Sequence, residues 1–209
     1  MEILRALSEL GVDTRFVSVT DSEVLINNLR FSRFSRRREE EFNSRYPEIR
    51  VVRSGIFQRI CSRASRVLAS TLRPRVGVRI RAEGEMAHAL HVILEPYTRK
   101  YGIKIGEGEV TALPATLDHS IAAALEDMVR GERIRYHHRS TSTVIYPLST
   151  VPSGWIESWL GTEITITGNP IVAEFMEFFN ENVPQFRDKM RKSLEFIGED
   201  VFSQRKNRG

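Results

Sequence analysis

Apolar residues recur at helical spacing in Ile3, Leu4, Leu7 and Leu10, and Gly11 closes that stripe. "TRFVSV" (14–19) and "EIRVVRSG" (48–55) read as strands, with a polar helix, basic then acidic, over 22–45 between them. Residues 56–72 fit an amphipathic helix with Phe57, Ile60, Cys61, Ala64, Val67 and Leu68 on one side, ended by Pro74. "RVGVRIRA" alternates as a strand, a helix spans 84–101, and Gly102 stops it. "EVTALPA" is a short strand, followed by a helix with Leu117, Ile121, Leu125 and Met128 on its core face and Gly131 at its end. "STVIYPL" is the next strand, and "VPSGWIESWLGTEITITGNP" a turn-rich link. Helices over 170–183 and 184–197 follow, the second opened by Pro184, and the last dozen residues read as frayed.

Strands alternating with helices predict an α/β fold with a doubly wound, mostly parallel sheet, extended by C-terminal helices. The expected division is 1–150 as the α/β domain and 151–209 as a helical extension with a basic tail. Such sheets bind ligands beyond the carboxyl ends of their strands, which puts the rim of a site at "PATLDHS". Asp118 or Thr116 also serves there as an ordinary helix cap.

Charge changes the picture more than composition does. The net charge is only +4, but 26 of the 31 basic residues are arginine. Nine arginines and no acid occur between Arg50 and Arg81. "RFSRFSRRREEEF" (30–42) mixes five arginines with three phenylalanines, and a third basic cluster is Arg187, Lys189, Arg191, Lys192, Arg205, Lys206 and Arg208. Guanidinium groups and aromatic rings suit phosphates and bases, so RNA is the expected partner. Arg33, Arg36, Arg37, Arg38, Arg59, Arg63 and Arg66 are the candidate phosphate contacts, with Phe31 and Phe34 as stacking candidates. The single cysteine, Cys61, excludes internal disulfides, cysteine-based zinc sites and protein-ligated iron–sulfur clusters within one chain. No apolar run reaches the ~18 residues of a membrane span, so a cytoplasmic protein is expected. His88, His91 and His119 could form a metal trio, but polar residues without metal are the favoured reading. His137 and His138 read as a solvated loop or an anion contact, and Trp155 and Trp159 as core or interface anchors.

The order of these pieces resembles the PP-loop family of N-type ATP pyrophosphatases, adenine nucleotide alpha-hydrolase-like proteins of the HUP type. The nearest branch is that of the archaeal tRNA-thiolation and lysidine-synthase-like enzymes. Leu117 and Asp118 are similar to that family's Leu-Asp pair, and Val129, Arg130 and Gly131 to the close of its helix. Pro147-Leu148, Pro170 and Pro184 resemble its downstream landmarks, and "MEILRALSELGVDTRFVSV" its first helix and second strand. The resemblance implies nucleotide-side positions at Thr116, Asp118 and His119.

Departures from the family are equally specific. The Ser-Gly-Gly-x-Asp-Ser loop is missing, and on this alignment it would fall before Met1 together with the first strand. "RVGVRIRA" is the candidate to fill that strand's place, but the loop after it carries Glu83 and Glu85, which repel phosphate. The second acid of the motif is His119, and Asn169 stands where the thiolation branch has a cysteine. The expectation is therefore a degenerate, noncatalytic PP-loop-like protein that binds tRNA or rRNA or assists an RNA-modifying partner. It would have no catalytic residue, metal or cofactor. One alternative is an ATP-dependent tRNA-modifying enzyme whose loop precedes the recorded start, with ATP as cofactor. The other is a structural subunit or homo-oligomer with the tryptophans at its interface.

Overall fold

The computed structural model describes the chain from Glu2 to Lys206, with side-chain surroundings from Glu2 to Ile197. Arg205, Lys206 and Arg208 of the expected basic tail lie outside the residues whose side chains are described.

The strands divide between two sheets, both within the span expected as one domain. The first comprises β1 (Val17–Val19), β2 (Glu23–Ile26) and β3 (Arg50–Val52), in the order β1-β2-β3. β1 and β2 are antiparallel, while β2 and β3 are parallel. Helix α1 (Glu2–Glu9), the short α2 (Leu29–Ser32) and α3 (Arg36–Arg45) surround this sheet over a core of Leu7, Val17, Val24, Ile26, Phe34 and Phe42. Each of the fully buried phenylalanines stabilises it by roughly 1.5–3 kcal/mol.

The polar helix expected over 22–45 is therefore not continuous. Val24, Leu25 and Ile26 prefer a pleated, half-buried surface and form the middle strand. Two caps then restart the chain. The Asn28 side chain accepts from Phe31 N–H, Arg33 turns left-handed at φ 55°, and Ser35 Oγ accepts from Arg38 N–H. The resemblance of the N-terminal segment to a first helix and second strand of the parallel sheet is likewise corrected, because β1 pairs only within this separate sheet.

Helix α4 (Gly55–Thr71) leads into the second sheet, which is wholly parallel: β4 (Gly77–Ile80), β5 (Lys104–Ile105), β6 (Val110–Ala112) and β7 (Val144–Ile145). Its order is β5-β4-β6-β7. Helix α5 (Gly84–Lys100) connects β4 to β5, and α6 (Leu117–Val129) connects β6 to β7, so the winding reverses between β4 and β6. The core spans Phe57, Ile60 and Leu68 of α4, Leu90 and Ile93 of α5, and Val78, Ala112 and Ile145 of the sheet. This is the α/β architecture expected, with helices flanking a parallel sheet. "RVGVRIRA" does supply an interior strand, β4.

The passage from β5 to β6 has only four residues, Gly106–Glu109, although β4 lies between the two strands. Stagger makes this possible. β5 pairs with Gly77 and Val78, whereas β6 pairs with Val78, Arg79 and Ile80, so the link crosses β4 without travelling back along it. The crossing is backbone on backbone. A Cβ on Gly108 would lie 2.0 Å from the carbonyl carbon of Gly77, and one on Gly77 would lie 2.7 Å from the Glu107 carbonyl oxygen.

The stretch expected as a link contains helix α7 (Ser153–Leu160), which lays Trp159 against Phe57 at 4.7 Å between ring centroids. Helices α8 (Pro170–Asn182) and α9 (Phe186–Lys206) pack on α6 through Leu117, Ile121, Leu125, Val172, Met176 and Leu194. Met128, expected in that core face, is exposed.

Candidate functional site

The reversal between β4 and β6 leaves a crevice beyond their carboxyl ends, the usual ligand position in such sheets. It has a volume of about 350 Å³, walled by Glu83 and Glu85 at the start of α5, by Pro114 and His119 at the start of α6, and by Glu163 after α7. Among the described residues no lysine or arginine lines it. Glu83 and Glu85 occupy the positive end of the α5 dipole, where a phosphate would otherwise be held.

Of the three positions expected beside a nucleotide, only His119 lines this crevice. Thr116 is fully buried as the cap of α6, and its backbone N–H donates to His119 Nδ1 at 3.2 Å. A nitrogen that accepts this bond carries no proton, which assigns the neutral Nε2–H tautomer. Burial lowers the His119 pKa in agreement, against the opposing pull of Asp118 and of a backbone hydrogen bond to Thr165. Asp118 is 1% exposed and faces the other way. Its Oδ2 accepts from Ser153 N–H at 2.7 Å, and its Oδ1 from Arg187 Nε at 2.6 Å. The carboxylate thereby caps α7 and ties α9 to α6.

The "RYHHRS" segment is a loop in which Arg135 and His137 are exposed yet tied to an acid, while His138 is half-buried. His137 Nε2 lies 2.7 Å from Asp127 Oδ2, which also accepts from Arg135 N–H. Burial alone would raise the Asp127 pKa, but these bonds outweigh it and hold the carboxyl below its usual range. His138 sits against Tyr146 and within 3.2 Å of Ser120 Oγ. Burial, with help from His119 and His137, pushes its pKa down to about 4. Among the described residues no three of His, Cys, Asp or Glu form a metal-holding group, and His88 and His91 lie exposed on α5.

The candidate arginines fall into two places. Arg33, Arg36, Arg37 and Arg38 surround the α2–α3 junction of the N-terminal unit. Arg38 is folded back onto the Arg33 carbonyl, and Arg36 lies 3.6 Å from Glu39. Phe34, expected as a stacking ring, is core, whereas Phe31 is 53% exposed beside Phe16. Arg59, Arg63 and Arg66 follow one face of α4. Arg63 donates to the Thr150 carbonyl at 2.8 Å and lies over the Trp155 ring at 4.7 Å, so this tryptophan packs within the chain. Arg63 and Arg66 enter a second cavity, which Arg139 and Arg191 complete. The sequence did not reveal that convergence. Its only signal was the separate basic clusters, since Arg63 and Arg191 are 128 positions apart.

Fold and sites together define an α/β protein with a staggered parallel sheet, an acid-walled crevice at its reversal and an arginine-lined cavity on its flank. No family model matches the sequence, and no curated protein matches it. Among solved structures, the fold is similar to the U34-tRNA thiolase NcsA from Methanococcus maripaludis with its 4Fe-4S cluster. The TM-score is 0.49 and the identity 10%, over 73% of this chain and 82% of that one. No described helix is long and apolar enough to cross a membrane.

Proposed function

We propose that this chain is a noncatalytic, PP-loop-like RNA-binding protein, acting on tRNA or rRNA alone or beside a modifying partner. The observation that carries the reading is the pairing of two surfaces. The crevice where such a sheet would take a nucleotide is walled, among the described residues, by three glutamates and no cation. The arginines lie elsewhere, along α4 and around its flanking cavity. Triphosphate is repelled from the first surface, and a polyanion is attracted to the second.

Fluorescence anisotropy with a labelled tRNA tests this. Affinity should fall steeply with salt, by about 0.7–0.9 in log K per log salt for each phosphate contacted. Replacing Arg33, Arg36, Arg37 and Arg38, or Arg59 and Arg66, with glutamine should flatten that slope. Salt-independent binding, or binding no tighter than to a neutral polymer, refutes RNA as partner. Tight, magnesium-dependent uptake of ATP in calorimetry refutes the noncatalytic half and restores the reading of an ATP-dependent tRNA-modifying enzyme.

A further inference from the structure

The flanking cavity has a built donor set. It measures about 510 Å³, a size that takes a phosphate together with the group it is attached to. Four guanidinium groups reach it from three separate parts of the chain: Arg63 and Arg66 from α4, Arg139 from the segment before β7, and Arg191 from α9. Convergence of like charges is unfavourable unless something offsets it. Part of the offset is internal, and Asp188 is shared between Arg63 and Arg191. Arg191 Nη1 lies 2.7 Å from Glu195, the one carboxylate in the wall among the described residues, and Arg63 reaches Asp188 at 3.4 Å. Among the described residues Arg66 has no ion-pair partner.

Hydroxyl groups complete the wall. Ser140 Oγ accepts from Tyr146 N–H, which leaves its own proton to donate outward. Thr150 lines the same wall through its other atoms, since its Oγ1 is closed to solvent.

From this we infer that the cavity binds a phosphate group, and that its physiological source is the terminal phosphomonoester of an RNA strand. Guanidinium forks match tetrahedral oxyanions, and a terminal phosphate carries more charge than an internal diester. The choice of RNA as source rests on the function proposed above, while the choice of phosphate rests on the cavity alone.

The test uses the full chain, with inorganic phosphate and two oligoribonucleotides of one sequence, bearing a 5′-phosphate or a 5′-hydroxyl. Phosphate at constant ionic strength should raise Tm by roughly 5–10 °C at a hundredfold excess over Kd. Arg66→Gln, an exposed substitution that leaves the core intact, should weaken phosphate about tenfold. Glu195→Gln should tighten it by roughly threefold, a sign that a purely structural role would not produce. The 5′-phosphorylated strand should bind about tenfold tighter than its hydroxyl twin, with the difference lost in Arg66→Gln.

The same Tm rise with acetate, or no rise with phosphate, overturns the site. Equal binding of the two strands overturns the terminal phosphate while leaving RNA binding intact. A phosphate response abolished by Arg66→Gln, without binding of either strand, keeps the site and refutes RNA as its source.

Discussion

Gly108→Ala tests the backbone crossing on which the parallel sheet depends. The added methyl carbon would lie 2.0 Å from the Gly77 carbonyl carbon, 2.2 Å from its oxygen and 2.5 Å from its Cα. Carbon atoms rest at about 3.5–4.0 Å, so β4 and its crossover would have to separate by more than 1 Å. No flexible side chain is there to move aside, because every close atom is backbone. Any shift strains the bonds that anchor the link at Val78 and the ladder joining β4 to β6. Overpacking alone costs about 1–3 kcal/mol, and weakening a ladder bond adds about 1. We expect a loss of about 3 kcal/mol or more, which lowers Tm by roughly 6–12 °C in a chain of this size. Circular dichroism during thermal and urea unfolding reads this directly. Gly55→Ala is the control, since its methyl would meet open space in the first turn of α4 and should be neutral or stabilise by about 0.5 kcal/mol. A Gly108→Ala protein within about 0.5 kcal/mol of wild type would refute the crossing.

Other expectations concern the polar groups. Asp118→Ala should destabilise by about 2–4 kcal/mol, because it removes the α7 cap and a charge-assisted bond, while Arg187 stays partly hydrated and limits the loss. Asp118→Asn should recover part of this, and urea unfolding would expose any failure of that order. His138 has a folded pKa of about 4, below its ordinary 6.5, so the unfolded chain takes up the proton first on acidification. Stability from this site is complete above pH 6.5 and is lost as pH falls toward 4. His138→Gln should shallow that slope, and an unchanged slope in chemical unfolding at several pH values contradicts the burial argument. Ser35→Ala should cost about 1 kcal/mol by uncapping α3, read in the same assay.

The residues themselves settled a good deal about this protein. Helical spacing placed α4, α5 and α6 within a residue or two, because each buries a continuous apolar stripe and ends at a glycine or proline signal. Alternation marked β4, and the strand–helix rhythm implied a parallel sheet. The acid pair at 83 and 85 already spoke against phosphate after β4. Local pattern failed where two periods competed. The stretch from Ser22 to Arg45 has enough polar periodicity for one helix, but its β-branched run and internal caps favour strand and turns.

What only tertiary structure decided was which separated segments meet. Burial turned Asp118 from a rim acid into a clasp between helices. It placed His138 against Tyr146 instead of in water, and brought arginines from α4, the loop before β7 and α9 around one cavity. The physical reason is that periodicity reports which face of an element is buried, whereas strand order and helix docking set its neighbours. Those depend on long-range packing, down to a crossing that only two glycines allow, and a one-dimensional pattern carries no record of such pairs.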